Sequence, residues 1–219
     1  MLNHSARELI QAGATAAPTD DNIADLLRHA VLGPVSFHPT NTAIYGQGEP
    51  AGPLYYVEFG TVRVCKMAPD GRRQIAAFYS AGQVFGFEPD DVHLFYAESV
   101  DGAGIRTLRP KMQEGAAEEV LKVALRGLIA IQTHLMMTAR LPAAERLAIF
   151  LLDLMEQQGS EDSVALQMQR NDIGDYLGLT FETVSRVFRV LKDGGLINLP
   201  TSDRVKVTSR AGLERFCAA

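Results

Sequence analysis

Apolar and polar positions change rhythm three times along this chain. Over residues 21–32, Ile23, Leu26, Leu27, Ala30 and Val31 recur at helical spacing and predict a short amphipathic helix. From Val35 to about Leu108 the pattern breaks into short runs of β character, at 42–45, 54–58, 61–66, 74–79 and 96–100. Turn signals separate them at Gly46-Gln47-Gly48, Phe59-Gly60, Pro69-Asp70-Gly71 and Ser80-Ala81-Gly82. Short strands punctuated in this way predict an antiparallel roll or barrel, with Pro69-Asp70-Gly71 as a hairpin tip.

After Pro110 the pattern turns helical. Leu121, Ala124 or Leu125, Leu128, Ile131, Leu135 and Thr138 recur with a mean spacing of about 3.5, which keeps one seam facing a partner. A helix of about 28 residues would be about 42 Å long. A small roll cannot cover that span, so the seam predicts a symmetric dimer through Leu121, Leu125, Leu128, Ile131 and Leu135. A helix packed only on its own β domain is the simpler alternative. Leu141-Pro142 marks a hinge, since proline disfavours helix at the residue before it and suits the first turn of a new one.

Beyond the hinge, Leu147, Ile149, Phe150, Leu152 and Leu154 predict an amphipathic helix, followed by a loop at 158–162. Residues 171–191 read NDIGDYLGLTFETVSRVFRVL. Ile173, Leu177, Val184, Val187 and Leu191 give two short helices one apolar face each. Between them Gly178 can take the positive φ that ends one helix, Gly174 is small enough for a close crossing, and Thr180 can cap the second helix. After Gly194-Gly195, runs at 196–199 and 204–207 around a 200–203 turn predict a wing, and Leu213 and Phe216 mark a last helix. The expected architecture is α+β. It comprises a tail (1–20), an antiparallel β-roll (21–109), a long dimerisation helix (110–140) and a winged helix-turn-helix (141–219).

The second short helix turns Glu182, Ser185, Arg186, Arg189 and Lys192 outward, side chains suited to base edges and phosphates. A solvated helical hairpin is the plainer alternative. The net charge of −5 looks wrong for a DNA binder until its distribution is considered. Residues 180–215 carry seven Lys/Arg against four Asp/Glu, a local excess of three positive charges. A basic patch on an acidic chain limits non-specific adhesion and still meets phosphate. Two cysteines, Cys65 and Cys217, suit a reducing cytoplasm better than a disulfide scaffold. No consecutive apolar run of about eighteen residues and no secretory leader pattern occur, so cytoplasmic localisation without a membrane partner is expected.

A glycine-studded roll, a long seam helix and a winged helix-turn-helix, in that order, resemble the cyclic-AMP receptor protein/FNR superfamily of bacterial transcription regulators. The resemblance runs from about Asp21 to Phe216. Its strongest matches are LYYVEFGTVRV (54–64), DGRRQIAAF (70–78), GQVFGF (82–87), LPAAERLAIFLLDL (141–154) and NDIGDYLGLTFETVSRVFRVLKDGGLI (171–197). ETVSR, Glu182 to Arg186, is similar to the FNR and FixK branches, where Glu, Ser and Arg read a TTGA half-site. The cyclic-AMP receptor branch has a glycine where Ser185 stands.

The resemblance implies a homodimeric activator that reads a TTGA-N-TCAA inverted repeat, recruits RNA polymerase and serves low-oxygen or nitrogen-related genes. Side-chain chemistry agrees with the base-reading part. Arg186 can donate twice to guanine, Glu182 can accept from cytosine, Ser185 can serve either, and Phe181 can touch a thymine methyl. Thr180, Thr183, Arg189, Lys192 and Arg170 are the candidate phosphate contacts.

Effector chemistry is argued from what is missing. Cyclic-nucleotide binders of the superfamily carry a Gly-Glu element and an arginine on the cyclic phosphate. Here residues 82–87 lack the former, and 89–99 hold no arginine, while Glu88, Asp90, Asp91 and Glu98 would repel phosphate. Two cysteines cannot supply the four thiolates of an iron–sulfur cluster. No cofactor and no metal site are therefore expected, although His29, His38, His93 and His134 leave haem ligation open. The FixK branch implies activity without a bound effector. A roll that must bind a small molecule first is the competing reading. Cys217 is a candidate redox thiol, Cys65 a packing residue, and Phe216-Cys217-Ala218-Ala219, ending in small apolar residues, a candidate protease tag. No Ser/His/Asp set or phosphate loop supports an enzyme.

Overall fold

The fold was obtained as a computed structural model, which describes residues 20–111 and 115–217, with side chains from Ile23 onward. The tail expected over residues 1–20 and the suggested tag at Phe216-Cys217-Ala218-Ala219 lie outside the described residues, apart from Asp20, Phe216 and Cys217. The chain divides into two compact units, with the division between Leu128 and Ile129.

The first unit begins with helix α1 (Asp20–Arg28), followed by eight strands: β1 (Ala30–His38), β2 (Ala43–Tyr45), β3 (Leu54–Phe59), β4 (Thr61–Met67), β5 (Arg73–Ser80), β6 (Val84–Phe85), β7 (Tyr96–Ser99) and β8 (Ala103–Pro110). They form two four-stranded antiparallel sheets, ordered β1-β8-β3-β6 and β2-β7-β4-β5. Val57, Phe85, Ala103 and Ile105 from the first sheet meet Tyr45, Val62 and Ala97 from the second in one buried core. A second cluster joins Ile23 and Leu26 of α1 to Ala30, Val84, Leu108 and Val123.

This is the expected antiparallel roll, with corrections at its edges. The first helix stops at Arg28 instead of running to Leu32. Ala30, Val31 and Leu32 pair with Pro110, Arg109 and Leu108, so strand pairing overrides their helical spacing. β8, the strand between β1 and β3, is not among the expected runs.

One helix, α2 (Ala116–Arg140), runs through the division with 25 residues, against the expected length of about 28. By length and composition it is apolar enough to cross a membrane, although it contains no unbroken apolar run of that length. The second unit continues with α3 (Ala143–Gln157), β9 (Ser163–Ala165), α4 (Arg170–Leu177), α5 (Phe181–Asp193), β10 (Ile197–Thr201), β11 (Arg204–Val207) and α6 (Arg210–Cys217). Pro142 is the N-cap of α3, one position ahead of the first turn. Leu147, Leu151, Leu152 and Met155 of α3 are fully enclosed and form the floor of this unit. β9 adds an unexpected third strand to the wing, pairing Val164 with Val205, in the order β10-β11-β9.

Candidate nucleic-acid interface

Helices α4 and α5 form the helix-turn-helix, and its turn is built as the residues require. α4 ends at Gly178 in the left-handed conformation, φ +65°, a region that glycine enters without steric cost. The Leu179 amide then donates to the Gly174 carbonyl at 2.9 Å. Thr180, extended at φ −80° and ψ 156°, caps α5 by accepting the Thr183 amide at 3.2 Å.

α5 is sharply two-sided. Val184, Val187, Phe188 and Leu191 are buried, as are Ile173 and Leu177 of α4, and α5 packs on both α4 and the α3 floor. Phe181, Glu182, Arg186, Arg189 and Lys192 are exposed, with Ser185 and Thr183 half-buried beside them. Glu182 sits in the first turn, where its own backbone amide and the Thr180 side chain hold its carboxyl below the usual carboxylate range. It is a charged acceptor at neutral pH. Arg186 Nη2 lies 3.5 Å from Thr183 Oγ1, a loose contact that leaves the guanidinium available. Arg170 is placed differently from the other phosphate candidates, its guanidinium 4.4 Å over the ring of Phe188. Phe188 itself is fully buried and was not among the apolar residues picked out by spacing.

Two residues to which the sequence assigned no role in the hairpin hold it in place. Arg146 Nε donates to the Leu141 carbonyl at 2.7 Å and its Nη1 to the Leu177 carbonyl at 3.0 Å, tying the hinge to the end of α4. His134, near the end of α2, stacks on Tyr176 of α4 with ring centroids 4.1 Å apart. Its Nε2 lies 3.0 Å from the Tyr176 carbonyl. Both contacts join residues more than thirty positions apart, so no local pattern announces them.

Along α2, Leu121, Leu125, Leu128, Ile131 and Leu135 are all exposed, between 49% and 65%, and Ile129 and Met136 join them. In the roll, Tyr45 stacks on His93 with centroids 3.6 Å apart, and Tyr55 and Tyr79 each lie 5.3 Å from Phe85. His93 is buried, with Nδ1 3.2 Å from Glu88. Arg63 is buried and donates to Glu98 and Asn41 at 2.9 Å. Glu98 and Glu88 are thus partnered by Arg63 and His93. Of the remaining histidines, His38 Nδ1 lies 3.3 Å from the Ala43 carbonyl and His29 is half-buried. Among the described residues no three His, Cys, Asp or Glu side chains converge as metal ligands would.

Cys65 is fully buried in β4, as a packing residue should be. Cys217 is also buried, and desolvation with Glu145, Asp153 and Glu214 nearby pushes its thiol up to about 12. A buried neutral thiol is a poor redox sensor, so the redox role suggested for Cys217 is corrected to packing.

Two family models match the chain. The Crp-like helix-turn-helix domain covers residues 145–216, and the cyclic nucleotide-binding domain covers residues 35–89. The nitrogen fixation regulation protein FixK of Rhizobium meliloti is 36% identical over 208 residues, 94% of this chain and 99% of that protein. FixK of Azorhizobium caulinodans is 38% identical over 201 residues, 85% of this chain and 80% of that protein. The structure of FixK2 from Bradyrhizobium japonicum superposes with a TM-score of 0.76 at 33% identity, covering 85% of this chain and 96% of that one. A two-sheet roll, a long helix and a helix-turn-helix with a polar outer face therefore agree with the comparisons: the chain belongs to the CRP/FNR family of DNA-binding transcription regulators, among its FixK-like members.

Proposed function

We propose that this protein is a homodimeric activator that reads a TTGA-N-TCAA inverted repeat and recruits RNA polymerase in the cytoplasm, controlling low-oxygen or nitrogen-related genes. The observation that carries the reading is the outer face of α5, where Glu182, Ser185 and Arg186 stand together opposite a fully buried face. In this reading Arg186 bonds guanine, Glu182 bonds a cytosine amino group, Ser185 serves either, and Phe181 meets a thymine methyl. Thr180, Thr183, Arg189 and Lys192 contact phosphate, and Arg170 does so from beside Phe188. The exposed stripe Leu121, Leu125, Leu128, Ile131 and Leu135 pairs with its copy and sets two reading heads about 34 Å apart. The physiological part follows the FixK relatives, which are named as nitrogen fixation regulators.

Activity without an effector is supported by the roll's interior. Aromatic rings stack where a ligand would need room, and Arg63 is already committed to Glu98 and Asn41. The match of residues 35–89 to a cyclic nucleotide-binding domain favours the other reading, a roll that must bind a small molecule first. Titrating purified protein onto a duplex with TTGAT and ATCAA half-sites, with and without cyclic nucleotides, separates the two. Tight binding without additive is expected. Binding that requires a nucleotide refutes effector independence, and no preference for this duplex over a scrambled one refutes the half-site.

A further inference from the structure

We infer that His134 is a positioning residue that, in its neutral form, locks the helix-turn-helix onto the C-terminal turns of α2. A carbonyl oxygen only accepts, so the 3.0 Å contact with Tyr176 requires the proton of neutral His134 to sit on Nε2. Nδ1 is then bare. It is buried and has no hydrogen-bond partner among the described residues. The imidazole also stacks flat on the Tyr176 ring, with an interplanar angle of 21°, and Phe150 of α3 lies 5.8 Å from that same ring.

The charged and titratable groups around the imidazole are the Arg146 guanidinium from α3 and the Tyr176 phenol from α4. The guanidinium only donates, and among the described residues no acceptor lies within hydrogen-bond reach of Nδ1. Protonation would therefore bury an unpartnered N–H and a cation beside a guanidinium. Burial, and then Arg146, hold the imidazole below its ordinary value despite the Tyr176 carbonyl. The sign follows: the docked state keeps His134 neutral, so docking is at full strength above about 6.5 and weakens as pH falls below it. Arg146 completes the same junction, because the carbonyls it binds belong to the hinge and to the turn that follows Tyr176.

The DNA half of the test rests on the reading of α5 given above; the docking half does not. In the full chain, His134→Gln keeps a donor for the Tyr176 carbonyl but cannot titrate, whereas His134→Leu keeps bulk and loses the donor. Hydrogen exchange of amides 171–180, corrected for intrinsic rates, is compared at pH 7.5 and 6.0. Wild-type protection is expected to fall relative to His134→Gln across that interval, by at most about fourfold. At pH 7.5 His134→Leu is expected to bind the TTGAT duplex about tenfold more weakly, with His134→Gln restoring most of the loss. Wild type and His134→Gln changing in parallel with pH overturns the inference, as does His134→Leu with unchanged protection and affinity. Wild type that ignores the duplex at pH 7.5 refutes the operator reading, and the exchange comparison still judges His134.

Discussion

A Cβ on Gly174 would stand 2.7 Å from the carbonyl oxygen of Leu179, closer than real Cβ atoms approach a backbone oxygen. The two helices of the DNA-reading hairpin cross at that spot, and the oxygen belongs to backbone that cannot step aside like a side chain. Gly174→Ala is expected to destabilise the second unit by about 1–3 kcal/mol. Chemical denaturation measures this, and a midpoint equal to wild type would show that the turn yields more easily than its geometry says.

Arg186 and Arg189 stand one turn apart on the exposed side of α5 but are proposed to do different work. Arg186→Ala should cost about 1–3 kcal/mol of binding and erase discrimination at the guanine of the half-site. Arg189→Ala should weaken all sequences alike and lower the salt slope by about 1. Binding isotherms on wild-type and guanine-substituted duplexes at several salt concentrations test both. Equal behaviour of the two variants removes the division between base and phosphate contacts.

Leu128 lies at the middle of the exposed stripe of α2. Leu128→Glu would set like charges at the centre of a pairing seam, so the variant is expected to run as a monomer and to lose operator binding while keeping its helix content. Light scattering after size exclusion gives the mass directly. A wild-type monomer at micromolar concentration, or a dimeric Leu128→Glu, would point to a different partner for this face.

Burial, with Glu156 nearby, pushes the Asp153 carboxyl of α3 up to about 7. A group whose folded value lies above its unfolded one binds a proton on folding, so its contribution is present in full below about 3.8 and is lost progressively as pH rises from there to about 7. Asp153→Asn should therefore raise the melting temperature at pH 8, by about 3 °C or more, and by less than half as much at pH 5. This trend runs opposite to that of His134, which is why the docking test relies on local exchange. Equal shifts at the two pH values would show that Asp153 is solvated.

The hairpin was legible because its determinants are local. Gly174, Gly178 and Thr180 act on backbone within a few residues, and Val184, Val187 and Leu191 mark a face by spacing alone. β8 was not legible: AGIRTLRP carries two arginines and gains its strand character from lying between β1 and β3. Ala30 and Val31 were misread for the same reason, since their partners are about eighty residues away. Phe188 sits next to Val187 and falls on the buried side only because α5 packs a wide face, where a narrow stripe was expected. His134 and Arg146 bond to main-chain carbonyls, which carry no residue identity for a sequence to display.

The bare stripe of α2 also bears on how such a regulator would respond to its own supply. With the pairing proposed above, the competent species below the pairing constant grows as the square of protomer concentration. Doubling synthesis would then raise it about fourfold, and steady turnover would shut it off just as steeply. Leu121 through Leu135 would thus serve as a dose gauge as well as an interface.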